Sequence, residues 1–197
     1  MKKSITVGCV IMASGLSRRF GANKLLADFC GQPMLCRAFA ATATPGIAAR
    51  IVVTRSEEVQ ALCRAQGVPV LLHSLPGRND TVRLGLSALL EQLPELNGCM
   101  FLPGDQPLLR RETVAALALA AKNDRAFIWR TAFEEIPGSP VLFPAWAFPE
   151  LTKLPEGKGG GFLVKKYPER LRTVSVRDRY ELMDADSPED LAFLVER

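Results

Sequence analysis

Three short runs, Val7-Gly8-Cys9-Val10-Ile11, Ile51-Val52-Val53 and Cys99-Met100-Phe101-Leu102, are apolar at every position. A strand with one face in water alternates apolar and polar residues, whereas a strand covered on both faces has no polar side to show. These runs therefore belong to a sheet with helices on both sides, and stretches of helical period do separate them. The resulting class is α/β, with a mostly parallel sheet. The pattern predicts strands at about 5–13, 50–54, 69–72, 98–102 and 126–131, with others near 139–143 and 171–176. Helices are expected at about 33–43, 56–66, 80–93, 111–122, 145–151, 160–166 and 188–196. The last is the best marked, because Ser187-Pro188-Glu189-Asp190 places a cap residue, a first-turn proline and two acids in order.

A chain of 197 residues that is 48% hydrophobic and 23% charged can bury a full core, so one domain spanning 1–197 is expected. The 25 Lys and Arg exceed the 21 Asp and Glu by a net +4. That surplus is too small to mark a nucleic-acid surface, yet it suits a small polyanion where the basic residues gather. The five cysteines, at 9, 30, 36, 63 and 99, form no CxxC pair and several lie in apolar runs. Buried free thiols in a reducing compartment are expected. Met1-Lys2-Lys3 precedes an apolar stretch, but that stretch runs into Ser14, Gly15, Ser17, Arg18 and Arg19 and falls short of the ~20 residues of a membrane span. It reads as the first strand of a cytoplasmic protein without membrane attachment. His73 is the only histidine, which excludes chemistry needing two; after Val70-Leu71-Leu72 it is expected to be structural or solvent-facing.

In such a sheet, ligands sit in the loops that follow the carboxyl ends of the strands. The first loop carries Ala13, Ser14 and Gly15, small residues that let a ligand approach the backbone, and Gly21, which tolerates positive φ. Arg18, Arg19 and Lys24 add the positive charge that adjacent phosphates require. The loop is an anion cradle that matches neither GxxxxGK[ST] nor a clean GxGxxG. The second loop, Pro103-Gly104-Asp105-Gln106-Pro107, sets a carboxylate just past a buried strand, where it can hold Mg²⁺ or serve only in the turn.

The pattern Ala13-x-Gly15-x-Ser17-x-Arg19-x-Gly21-x-x-Lys24-Leu25-Leu26, joined to Gly104-Asp105-Gln106-Pro107, resembles the MobA-like nucleotidyltransferases, in particular the molybdenum cofactor cytidylyltransferase branch. Thr81 to Leu86, Pro137 to Phe143 and Met183 to Leu191 resemble further family segments. The resemblance implies a three-layer αβα sandwich, a Rossmann-like sheet of the nucleotide-diphospho-sugar transferase type. It implies CTP over Ala13, Ser14, Gly15, Arg19, Lys24, Thr81 and Gly104, with Mg²⁺ on Asp105 and Asp186. Arg19, Lys24 and Asp105 are the implied catalytic residues. The implied reaction moves CMP from CTP to the phosphate of molybdenum-molybdopterin, with a molybdenum hydroxylase as eventual partner.

Gly138, Pro140 and Lys158 are expected to meet the acceptor. This is also where the chain departs from the family pattern: Ser139 replaces a histidine, and Lys158-Gly159-Gly160-Gly161 replaces a Gly-Asp-x-Gly-Ala-Arg segment. Within the first loop Ser14 and Phe20 are further departures. Two alternatives stand beside the main reading. Arg78 to Arg83 resembles methylerythritol phosphate cytidylyltransferases, which implies a sugar or polyol phosphate acceptor. A maturation chaperone with little turnover would also tolerate the altered 157–161 segment.

Overall fold

The computed structural model describes residues 6–17 and 19–197. Arg18, one of the basic residues of the first loop, and residues 1–5 lie outside that set. A seven-stranded sheet runs β5-β4-β1-β6-β8-β7-β9. Its members are β1 (Val7–Ala13), β4 (Ala49–Thr54), β5 (Val70–Leu72), β6 (Gly98–Pro103), β7 (Ile128–Phe133), β8 (Ile136–Pro144) and β9 (Leu171–Ser175). β1 pairs in parallel with β4 and β6, β4 with β5, and β7 with β9, while β8 runs antiparallel to both β6 and β7.

Helices cover both faces, giving the three-layer αβα architecture. Alternate residues of one strand feed opposite layers: Cys9, Ile11 and Ala13 of β1 enter one core and Val10 the other. The first core is closed by α1 (Leu35–Thr42), α2 (Glu57–Ala65), α4 (Arg111–Asn123) and α7 (Pro188–Val195). The second lies under α3 (Arg78–Gln92), α5 (Phe148–Leu151) and α6 (Gly161–Lys166). This two-sided burial is the reason the β1, β4 and β6 segments carry no polar face.

Two features lack a periodic signal in the sequence. A hairpin of β2 (Asp28–Phe29) and β3 (Gln32–Pro33) turns through Cys30 and Gly31, both at positive φ. A 3-10 turn at Lys24–Leu26 closes the first loop. Both are too short to show a period. Cys9, Cys63 and Cys99 are buried free thiols as expected, Cys36 is half-buried, and Cys30 is exposed. Burial pushes the Cys9 thiol up to about 12, with Arg50 opposing the shift. Among the described residues no helix is long and apolar enough to cross a membrane.

The layer carrying α3 approaches the sheet closely at Gly85, where an added Cβ would stand 2.6 Å from Val10 Cγ1 and 3.0 Å from Val53 Cγ2. Valine methyls on two parallel strands have little room to yield, so Gly85→Ala is expected to cost about 1–3 kcal/mol by overpacking. Urea unfolding checks this. A variant as stable as the parent would show that α3 is not held at this distance.

Candidate active site

A cleft of about 780 Å³ opens at the carboxyl ends of β1 and β6. The first loop and the 184–186 segment form one end, the start of α3 a side, and β7, β8 and the start of α6 the remainder. The floor is apolar, with Met12, Phe101, Val141 and Phe143, whereas the rim is charged.

Local hydrogen bonds shape the first loop. Ser14 Oγ donates to Val53 O at 3.0 Å and stands 3.0 Å from His73 Nε2. Because that hydroxyl proton is already committed, the imidazole is assigned as donor through Nε2. Burial first, then Arg55, holds the His73 pKa below its usual range, which keeps the ring neutral. The lone histidine is thus structural, as expected, and it braces the phosphate-binding candidate loop. Ser17 sits at φ 49 and Gly21 at φ 71, turning the chain back on itself. Ser17 Oγ then accepts from Lys24 N at 3.2 Å, and Asn23 Oδ1 caps the 3-10 turn by accepting from Leu25 N.

This turn delivers Lys24 into the base of the cleft. Its Nζ lies 2.6 Å from Asp105 Oδ2 and 2.7 Å from Asp186 Oδ1, with only 9% of the side chain exposed. Asp105 is held near by Gly104, whose N–H donates to Met12 O at 3.0 Å; an added Cβ there would press on Leu35 Cδ1 at 3.0 Å and Met12 O at 3.2 Å. Asp186 precedes the capping box of α7, in which Asp190 accepts from Asp186 N and Ser187 N. Ala185 N donates to Asp105 O, so the two carboxylate loops are tied directly. Gln106, itself buried, adds a second tie through Nε2 to Leu182 O and Asp184 Oδ1. Arg19, largely exposed, pairs with Asp186 Oδ2 at 2.5 Å.

Burial alone would push the Lys24 ammonium toward neutrality, but Asp105 and Asp186 together outweigh it and the pKa is raised. Lys24, followed by the cost of partial burial and then Arg19, sets the balance at Asp186, whose pKa is lowered. The raised lysine contributes stability below its unfolded value of ~10.4, and that contribution is lost as pH rises through the folded value. The lowered aspartate contributes above ~3.9, and that contribution is lost as pH falls through the folded value. The cluster is therefore intact across the neutral range. Asp184 remains exposed as a residue, yet crowding by protein and then repulsion from Asp105 raise its carboxyl to about 6.

Of the residues expected at the site, Ser14, Gly15, Arg19, Lys24, Thr81, Asp105 and Asp186 line this one cleft. Ala13 is buried at the end of β1, and Gly104 is buried behind Asp105, so both shape the cleft through backbone. Gly138 accepts two hydrogen bonds from Arg130, and Pro140 is buried after a cis Ser139-Pro140 bond. Between them Ser139 does face the cleft. Lys158 is exposed and off the cleft wall, while its neighbours Gly159, Gly160 and Gly161 line it. Arg55, Arg130 and Asp184 also line the cleft and were not singled out by sequence. Arg130 directly follows the apolar run Ala126 to Trp129.

A mostly parallel αβα sheet, with a first loop of small residues and two carboxylates converging at its mouth, frames the cleft. The chain belongs to the MobA-like NTP transferase domain family, whose model matches residues 9–172. It is 36% identical over 93 residues to a 3-deoxy-manno-octulosonate cytidylyltransferase of Neisseria gonorrhoeae, covering 47% of this chain. The match spans only 36% of that relative's length. Among solved structures, Rv0371c from Mycobacterium tuberculosis H37Rv superposes with TM-score 0.83 at 23% identity, covering 98% of this chain and all of that one; it has also been solved with manganese. A CMP:2-keto-3-deoxy-manno-octonic acid synthetase complexed with CTP gives 0.78 at 16% identity, with 97% of each chain covered. At these identities the structures share the fold.

The donor set fits a hard divalent cation. Asp105 and Asp186 already converge on one cation, the Lys24 ammonium, although among the described residues no group of three metal-ligating side chains gathers here or elsewhere. Mg²⁺ is commonly held by one or two carboxylates, with phosphates and water completing its shell. Lys24→Ala removes the cation and leaves two carboxylates facing each other. At pH 7 it is expected to cost about 1–2 kcal/mol, discounted for their partial exposure, and millimolar Mg²⁺ should recover most of that loss. Urea titrations with and without Mg²⁺ check this; no destabilisation, or one that Mg²⁺ leaves unchanged, would contradict the two-carboxylate site.

Proposed function

We propose that this protein is a divalent-metal-dependent cytidylyltransferase, transferring CMP from CTP to a small acidic acceptor. The observation that carries the reading is the Lys24-Asp105-Asp186 cluster at the mouth of the first loop. Mg²⁺, bound by Asp105 and Asp186, would neutralise phosphate charge. The backbone of Ser14 and Gly15 admits the nucleotide closely, and Lys24, displaced from the carboxylates, follows the phosphates with Arg19. Thr81, buried in the first turn of α3 and lining the cleft, contacts the nucleoside end. An acceptor oxygen then attacks the α-phosphorus in line; the new P–O bond forms as the bond to the β-phosphate oxygen breaks, and pyrophosphate leaves. A phosphate monoester loses its second proton near pH 6, so such an acceptor arrives as an anion and needs no histidine base. That matches a chain whose one histidine is committed to Ser14.

Cytosine is supported by the two relatives with stated substrates, both of which use CTP or transfer cytidylyl groups. The same relatives favour an acidic sugar as acceptor, and a polyol phosphate rests on the resemblance of Arg78 to Arg83. Molybdenum-molybdopterin, a hydroxylase partner and a carrier role rest on motif resemblance and the altered 157–161 segment. In either case the chain around Gly138 and Pro140, with the glycines that follow Lys158, is proposed to frame the acceptor end.

Pyrophosphate release from each of the four triphosphates, with Mg²⁺ and with a 3-deoxy-sugar acid, methylerythritol phosphate or molybdenum-charged molybdopterin, tests the reading. CTP is expected to be used with one acceptor class, and Asp105→Ala to lose more than tenfold in rate, about 1.4 kcal/mol or more. Preference for another triphosphate, or a folded Asp105→Ala protein retaining more than a tenth of the rate, would overturn it.

A further inference from the structure

At the nucleotide end of the cleft Lys24 and Arg19 are balanced by acids and Arg55 is turned onto Ser14 O; at the other end stands a further arginine that meets no acid among the described residues. Lys24 and Arg19 meet Asp105 and Asp186. Arg130 also lines the cleft, yet among the described residues no carboxylate lies within ion-pair distance of it. Its Nε and Nη2 both donate to Gly138 O, at 3.0 and 2.8 Å, which fixes one edge of the guanidinium against β8. The other edge of the planar fork keeps its donors.

The sheet register says where that free edge stands. Arg130 pairs with Val141, Val141 with Phe101, and Phe101 with Val10, so the four form one row across β7, β8, β6 and β1. Ile128, two residues earlier on the same face of β7, lies in the second core with Phe101 and Phe143. Arg130 thus occupies the position at which this face passes from core to cleft. With strands ~4.8 Å apart, it is about 10 Å from the β6 row position, on the side away from β1 and the first loop. Partial burial lowers its pKa, although a guanidinium remains charged. A half-buried, oriented cation without an acid has its counter-charge left to a ligand. Its location beyond β6 separates that ligand from the triphosphate.

We propose that Arg130 recognises an acidic group of the second substrate, a carboxylate or a phosphate monoester, through the free edge of its guanidinium with Ser139 beside it. This rests on the nucleotidyl-transfer reading and narrows its acceptor to a molecule carrying an anion away from the attacking oxygen or next to it. It also explains what Gly138 does at the acceptor end: its carbonyl aims the arginine. A purely structural arginine, stapling the register shift between Arg130 and Ala132, would make no response to anions.

The test titrates acetate and methyl phosphate separately into protein saturated with CTP and Mg²⁺, following the Arg130 Nε–H resonance, identified by its loss in Arg130→Lys, and the Ser139 amide. One or both probes are expected to shift both signals saturably at up to tens of millimolar. Arg130→Gln should then need at least tenfold more probe for the same Ser139 shift. Response to acetate alone assigns a carboxylate, and response to methyl phosphate assigns a phosphate. No saturable shift with either probe, or an unchanged midpoint in Arg130→Gln, overturns the proposal. Affinity for CTP is measured on the same samples. If the wild type does not bind CTP, the nucleotide reading fails by itself, and the same titration of the free protein still decides the role of Arg130.

Discussion

An ammonium group with 9% of its side chain exposed, held between two carboxylates from distant parts of the chain, is the interaction on which the rest of this molecule depends. A lysine stripped of water is costly unless its charge is matched, and here the match requires three separate segments to arrive together. The 3-10 turn brings Lys24, the end of β6 brings Asp105, and the α7 capping box brings Asp186. The ties through Ala185 N and Gln106 Nε2 keep the two carboxylate loops from separating. The lysine thus serves as a protein-borne counter-ion at a place where phosphates and a metal would later compete for the same partners.

Charge is distributed unequally along the cleft. At the β1 and β6 end, Lys24 and Arg19 are paired with Asp105 and Asp186, while Arg55 donates to Ser14 O. At the β7 and β8 end, Arg130 is held by a carbonyl oxygen. The antiparallel insertion of β8 between β6 and β7 creates this second end, because it sets β7 apart from the parallel strands that carry the first loop. The proposed transfer would need neighbouring but distinct places for its two substrates, and the sheet order would provide that spacing.

Much of the architecture was legible because burial on both faces writes itself plainly. The apolar runs at Val7 to Ile11 and Cys99 to Leu102 became central parallel strands, and the Ser187 cap started α7 as expected. Among the site residues, Lys24 and Asp105 were legible from their loops at the strand ends and Asp186 only through motif resemblance, and the structure brings their side chains together. Their mutual pairing was not legible, since nothing in local sequence reports a contact across 162 positions. Asp184 and Gln106 were hidden for the same reason. Lys158 stood out among glycines, but those glycines, and not its side chain, line the cleft. Arg130 was overlooked because a single charge near the end of a strand looks like a solvated residue until the sheet order shows which face it occupies.

The most direct measurement is a crystal structure with Mn²⁺ and a non-hydrolysable CTP analogue, in which anomalous scattering locates the metal. An anomalous peak bridging Asp105 and Asp186, with Lys24 Nζ moved onto a phosphate oxygen, is the predicted result. Metal and triphosphate bound elsewhere, with Lys24 still locked between its two aspartates, would contradict the account.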